Sequence, residues 1–307
     1  MTSSDTLFQL RQSALLLLTA VIWGATFVAQ SLGMDSVGPF TFTTTRMLLG
    51  AIFLLPMVVW RRKRLAAEHP EEARRRSSPE YKRTLLLGGI LCGLCLFGGE
   101  SLQQFGFVHD TEVGKSGFIT ALYIVFVPLL SLFLGRRGSP LLWAAVLLSL
   151  VGLWFLCIPP EGFTVAPGDL FVVACALVFS LHILVIGKFV LLVDGIELSM
   201  MQFFAGSVLA SCAMLALESP TLIGWQAALP AMLWAGIMSN GIAYTLQIVG
   251  QRGMNETAAS LFLSLESVFS VIAGWLVLSE VLSIREGIGC VLMAAAVVLA
   301  QLPAKRR

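Results

Sequence analysis

Charge is scarce in this chain. Only 12% of its 307 residues are Asp, Glu, Lys or Arg, while 57% are hydrophobic and the mean hydropathy is +0.87. Soluble domains carry about 25% charged residues, so an ordinary soluble globular fold is excluded. Also missing are the ~10-residue stretches of alternating apolar and polar residues that membrane β-strands need, which excludes a barrel. No G-x-x-x-x-G-K-[ST] phosphate loop occurs, so ATP drive within this chain is not expected. No HExxH, Ser/His/Asp or paired-Asp pattern marks an enzyme. Six cysteines are present (Cys92, Cys95, Cys157, Cys175, Cys212 and Cys290). None pairs in an outer loop, so there is no disulfide framework. The pair in "CGLC" (92–95) sits mid-membrane without a second half. It reads as small-residue packing and not as a zinc or redox site. Neither metal nor cofactor is expected. The early run "LLLLTAVIWGATFVA" lacks a clear cleavage site and reads as a first membrane span.

What is present is a series of ten apolar runs, near 13–31, 38–60, 84–107, 113–134, 141–158, 169–188, 197–217, 228–250, 257–278 and 284–302. Each approaches the ~20 residues that cross ~30 Å of hydrocarbon. With no water to satisfy the backbone in lipid, these runs must be helices. The fold class is therefore an all-α integral membrane protein of ten transmembrane helices. Placing the N-terminus in the cytoplasm puts 17 of the 20 basic residues on that side. They include Arg11, nine in the basic loop 61–83, Arg136, Arg137, Lys188, Arg252, and Lys305, Arg306 and Arg307. Only Arg46, Lys115 and Arg285 then lie toward the outside. The positive-inside rule thus favours both termini in the cytoplasm. The basic loop lacks interleaved aromatics and reads as a topology determinant that touches anionic lipid, not as a nucleic-acid site.

The chain also repeats itself. At an offset of 156, spans 1–2 align with spans 6–7, so Arg46 meets Gln202 and Gly50 meets Gly206. At an offset of 144, spans 3–5 align with spans 8–10. "SLQQFGF" then meets "TLQIVGQ", placing Gln103 on Gln247 and Gly106 on Gly250. The repeats are 13–158 and 169–302, each of five spans. An odd number forces the second copy into the membrane upside down. Inverted repeats are typical of secondary transporters with a solute site near the midplane between the halves.

The polar residues sit on helix faces at spacings of three and four. Span 1 carries Thr19, Trp23, Thr26 and Gln30. Span 8 carries Asn240, Tyr244, Gln247 and Gln251. Span 3 carries Glu100, Gln103 and Gln104, span 4 carries Ser116, Thr120 and Tyr123, and span 9 carries Ser260, Ser264 and Ser267. Span 6 adds Cys175 and His182. Spans 5 and 10 have almost no polar residue and are expected to face lipid all round, as outer scaffold or as a homodimer surface. The expected cavity is lined by spans 1–4 and 6–9. Arg46 lies about two turns inside span 2 and is expected to snorkel toward the outer mouth. Glu266 lies ~14 Å into span 9 at 1.5 Å per residue. An ionised group at that depth costs roughly 2.5–3.5 kcal/mol on insertion scales. On a continuous helical wheel Glu266 falls well over 100° (at ~100° per residue) from the Ser260/Ser264 line and shares a side with Ser270. Either the cavity is broad, or Glu266 is a buried structural acid reaching a neighbouring helix.

At these residues the sequence resembles the EamA family of the drug/metabolite transporter superfamily, as two repeats over nearly the whole chain. The resemblance is carried by "WGATFVA" (23–29), "GPFTFTTTR" (38–46), "GFITALYIVFVPLLSLFLGRR" in span 4, and "SLESVFSVIAGWLVLSE" with Glu266 and Glu280. Ser267 departs from the proline common after the acid. Arg136 and Arg137 stand where the first repeat would match Glu280, which reads as a cap or loop partner. The resemblance implies ten helices, inverted repeats, a central cavity and alternating access in the inner membrane. The expected activity is secondary export of a small polar or amphipathic solute, amino acid-like or drug-like. Trp23, Tyr123 and Tyr244 are expected to clamp it, with Thr26 and Thr120 lining its path. Gln103, Gln202, Asn240 and Gln247 are expected to hydrogen-bond it, and Arg46 to attract an anionic group. Glu100, His182 and Glu266 are the candidate carriers for proton coupling. Import by the same fold, or an intramembrane enzyme using Glu100, His182 or Glu266, are the alternatives.

Overall fold

The computed structural model describes residues 3–135, 138–158, 165–278 and 283–302. Arg136, Arg137, Glu280, Lys305, Arg306 and Arg307, which entered the charge and motif arguments, lie outside the described residues. The described chain is helical. Its elements are α1 (Ser3–Met34), α2 (Pro39–Glu68), α3 (Pro70–Ser77), α4 (Pro79–Val108), α5 (Val113–Thr120), α6 (Tyr123–Phe133), α7 (Pro140–Cys157), α8 (Asp169–Phe189) and α9 (Gly195–Leu217). They continue with α10 (Leu222–Leu233), a π-helical stretch (Trp234–Tyr244), α11 (Thr245–Gln251), α12 (Glu256–Leu263), α13 (Glu266–Leu278) and α14 (Ile284–Gln301). Ten of these segments are long and apolar enough to cross a membrane.

The helix starts are written locally. Pro39, Pro70, Pro79 and Pro140 occupy first-turn positions, where the missing N–H costs nothing. Ser78, Ser139 and Asn255 accept backbone N–H groups as N-caps, and Ser283 with Glu286 forms a capping box. The basic stretch expected as a loop is itself mostly helix. α2 runs eight residues past the apolar run, with Arg64 paired to Glu68 at 2.7 Å, and α3 follows at once. In α3, Arg75 and Arg76 hold the half-buried Glu72 carboxyl down to about 2.

Helices from the two halves pack in antiparallel pairs. α1 lies along the π-helical stretch and α11, α4 along α8, α2 along α9, and α7 along α14. The ends show the direction. Glu218, just past α9, caps the start of α2 through Phe40 N and Thr41 N, both at 2.8 Å. At the opposite end Arg62 of α2 pairs with Glu197 of α9 at 2.9 Å.

The α7–α14 pair corrects the expectation that spans 5 and 10 face lipid all round. They pack on each other, with Ser149 Oγ 3.1 Å from Met293 Sδ, while Leu147, Val151, Trp154 and Val291 stay exposed. Glycine permits the approach. A Cβ on Gly289 would sit 2.7 Å from Gly152 O and from Leu156 N, which are backbone atoms that cannot yield. Gly289→Ala is therefore expected to lower stability by about 1–3 kcal/mol through overpacking, read as the unfolding midpoint in detergent. Gly287→Ala, where a Cβ meets nothing within 4 Å, should leave it unchanged.

Two spans are broken in the middle, at positions that correspond to within one residue at the 144 offset. Between α5 and α6 the bonding tightens to i→i+3 in Leu122 N to Ile119 O, Ile124 N to Ala121 O and Val125 N to Leu122 O. Between α12 and α13 the same occurs in Leu265 N to Phe262 O and Ser267 N to Ser264 O. Each break leaves a half-helix starting at mid-membrane depth. Tyr123 is the first residue of α6 and Glu266 the first of α13.

Candidate functional site

Arg46 is the most heavily bonded side chain in the interior. Small residues put it there. Gly50 and Gly236 let α2 and the π-helical stretch approach until a Cβ on Gly50 would fall 2.9 Å from Asn240 Cβ. Arg46 then donates through Nε and Nη2 to Asn240 Oδ1 (3.2 and 3.0 Å), through Nη1 to Gln30 Oε1 (2.7 Å) and through Nη2 to Ser239 Oγ (3.2 Å). The same Nη2 lies 3.2 Å from Glu100 Oε1. Arg46 is 2% exposed and Glu100 is fully buried. The expectation that Arg46 snorkels is thus overturned: an internal carboxylate and three neutral acceptors turn the guanidinium inward. The contact is an ion pair without hydrogen-bond alignment, and neither Glu100 oxygen accepts a well-aligned hydrogen bond among the described residues.

A second acid lies on another side of the same interior. Tyr123 Oη donates to Glu266 Oε1 at 2.9 Å, so the starts of the two mid-membrane half-helices meet through one hydrogen bond. The start of a helix favours a carboxylate through the helix dipole. No cation pairs with Glu266 among the described residues. The wheel argument from the sequence fails here for a plain reason. The chain breaks at Ser264–Leu265, so Ser260 and Glu266 do not lie on one continuous helix. Ser260 and Ser264 bond backward to Thr257 O and Leu261 O, as local side-chain-to-backbone bonds do. Ser267 reaches across to Gly117 O at 3.1 Å.

Arg46 and Glu266 both line one central cavity. Its polar wall also includes Trp23, Thr26, Gln103, Thr120, Tyr123, His182, Tyr244 and Gln247, and its apolar wall includes Phe27, Phe179, Ile183 and Leu263. Spans 1–4, 6, 8 and 9 contribute; span 7 does not. Glu100, Gln202 and Asn240, expected on the wall, stand behind it. Glu100 and Asn240 hold Arg46, and Gln202 Oε1 lies 3.0 Å from His182 Nε2, which donates with the amide in that orientation. Gln103 Nε2 donates to Thr120 Oγ1 at 3.0 Å, and Trp234 Nε1 to Thr26 Oγ1 at 3.1 Å. Tyr244 is wedged between Trp23, Phe203 and His182 at ring separations of 4.6, 6.0 and 5.9 Å.

Sequence reasoning missed Ser239, which bonds Arg46, and the four apolar wall residues. The clue to Ser239 was its place beside Asn240. The cavity itself is small, about 30 Å³, enough for one or two ordered waters and far below the ~300–1,000 Å³ of a site holding a drug-sized ligand. On its wall Trp23 Nε1 and Gln247 Oε1 have no hydrogen-bond partner among the described residues.

The model of the EamA-like transporter family matches residues 11–158 and 166–302. An uncharacterized transporter of Archaeoglobus fulgidus is 29% identical over 94% of this chain and 84% of its own length. The uncharacterized transporter YoaV of Bacillus subtilis is 23% identical over 94% and 95%. A protein of known crystal structure superposes with a TM-score of 0.73 at 20% identity, over 94% of this chain and 96% of that one, a likeness of fold.

Proposed function

Because the chain belongs to the EamA-like transporter family, and so is a multi-pass membrane transporter, we propose that it exports a small polar or amphipathic solute across the inner membrane by alternating access. The observation that carries this reading is the joint presence of Arg46 and Glu266 on one enclosed cavity whose wall is drawn from both halves of the chain. A cation, an acid and an apolar wall suit a solute with both a charged end and an apolar body. The small volume fits a closed form, to be widened when one end opens.

The two halves act in this reading as inverted repeats, with both termini in the cytoplasm. The antiparallel pairing of α2 with α9 supports the inversion. The gathering of Arg11, Arg61 and Arg252 around one end of the bundle supports the orientation. The opposite end is held by Lys115 Nζ, 2.6 Å from Asp169 Oδ2, with Thr111 Oγ1 donating to the same carboxylate at 3.1 Å.

Glu266 is the proton carrier and Glu100 is not. Glu100 is matched to a fixed cation, so taking up a proton would break an ion pair. Glu266 has only a hydroxyl donor and gives up less. The first test compares extracellular metabolites of cells overproducing the wild type or carrying an empty vector. At least one small solute should be enriched outside by several-fold with the wild type. A depletion of an outside solute would instead make the protein an importer, and no change in any solute would argue against the reading.

A further inference from the structure

One feature that transport leaves unexplained lies far from the central cavity, at the end carrying the basic stretch. There a cavity of about 220 Å³ is lined by Arg11 of α1, Arg61 of α2, Arg252 just after α11, the start of α9 at Asp194, Gly195 and Ile196, and the apolar Val190 and Val249. Three guanidinium groups from three separate elements face one carboxylate. That carboxylate is already engaged. Asp194 is the N-cap of α9, accepting from Ile196 N and Glu197 N, and its other oxygen lies 3.1 Å from Arg61 and 3.0 Å from Arg76. The neighbouring Glu197 is taken by Arg62 at 2.9 Å and by Tyr81 Oη at 3.1 Å. Arg11 and Arg252 have neither ion-pair nor hydrogen-bond partner among the described side chains.

Arg11 and Arg252 are exposed, but the backbone that carries them is fixed. Gln12 is 2% exposed, and its Nε2 donates to Val249 O at 2.9 Å and to Arg252 O at 2.8 Å. One buried amide thus ties α1 to the end of α11 and holds the two unpaired arginines beside the same opening. Like charges brought together this way repel unless an anion sits between them. A phosphate accepts from several guanidinium groups at once.

We propose that this cavity binds a phosphate group, and that its source is the headgroup of an anionic phospholipid. The height and flanks of the site favour lipid over a soluble ion. Arg11 lies four residues into a membrane-spanning helix, and Leu7, Phe8 and Leu10 beside it are exposed at 70, 41 and 57%, a surface that acyl chains would cover. Basic pockets between transmembrane helices on the cytoplasmic side are suited to such headgroups. The inference does not depend on what the protein transports.

The test uses the purified full-length protein in neutral detergent, titrated separately with phosphatidylglycerol, phosphatidylcholine and inorganic phosphate while the unfolding midpoint is followed. Phosphatidylglycerol should raise the midpoint at low mole fraction, and phosphatidylcholine should not. The double substitution Arg11→Gln with Arg252→Gln should weaken the apparent affinity about tenfold or more. Arg11→Lys with Arg252→Lys should keep most of the response, which guards against a double variant that simply folds poorly. Lys63→Gln with Lys82→Gln, removing the same charge outside the cavity, should keep it as well. A response to inorganic phosphate as strong as to phosphatidylglycerol, lost in the same double variant, would uphold the phosphate site and assign it to a soluble ion. Equal weakening by both glutamine pairs, an equal response to phosphatidylcholine, or no response in the wild type would overturn the proposal.

Discussion

Arg46→Met is expected to destabilise the protein by about 3–5 kcal/mol, because removing one partner of a buried pair leaves an uncompensated charge in Glu100. Gln30, Ser239 and Asn240 would lose their donor in the same step, and buried polar groups left unpaired add to the cost. Glu100→Gln should cost less, since Arg46 keeps its bonds to the other three residues. The double variant Arg46→Met with Glu100→Met should recover much of the loss, as replacing a whole buried pair with apolar groups often does. Unfolding midpoints of the four proteins in detergent complete the cycle. Losses that simply add would mean that the two side chains do not act as a pair. Transport should fall in every variant lacking Arg46, the double variant included, which separates the proposed solute-binding role of the arginine from its structural one.

The second large effect concerns Glu266. For a 1:1 exchange of a proton for a neutral solute, a gradient of one pH unit is worth about 1.36 kcal/mol and sustains a roughly tenfold concentration ratio. Glu266→Gln keeps the size of the side chain and can still accept from Tyr123. It is expected to fold normally and to let the solute equilibrate, with the accumulation ratio falling from about ten to about one. Tyr123→Phe should retain coupling with a shifted pH dependence, because the carboxyl survives without its donor. Proteoliposomes with an imposed pH gradient, loaded with the solute found in the export screen, would measure both. If the glutamine variant still concentrates solute against its gradient, Glu266 is a structural acid and the coupling lies elsewhere.

Much of the architecture was legible because lipid is an exacting solvent. The ten apolar runs became ten spanning segments, and the polar residues inside them were conspicuous since each one is costly there. Ten of the thirteen candidate residues line the cavity for that reason. What the sequence hid was the pairing. Nothing local says that Arg46 meets a carboxylate 54 positions on and an amide 194 positions away. The mid-membrane breaks were equally silent, for neither Ala121–Leu122 nor Ser264–Leu265 contains glycine or proline. The serines of span 9 read as one polar face in the sequence, and their bonding is local. Ser260, Ser264 and Ser270 each bond the carbonyl three residues back, which marks a locally distorted backbone more than a solute stripe. The basic stretch was mistaken for a loop because its charge masked its prolines, which start helices at Pro70 and Pro79.

The wide helical turns at Trp234–Tyr244 have a bearing on the history of the chain. At the offset of 144 they align with residues 90–100, which lie in the regular helix α4, and Asn240 falls on Leu96 while Ser239 falls on Cys95. The amide and hydroxyl that hold Arg46 therefore have no counterpart in the first half, just as Arg46 itself is replaced by Gln202 in the second. A chain built from two copies of the first half would place two arginines and two glutamates in the middle of the bundle with the Gln30 amide but neither Asn240 nor Ser239 to receive them. The two halves are thus not interchangeable around Arg46: the first supplies the charges and the second most of the neutral acceptors.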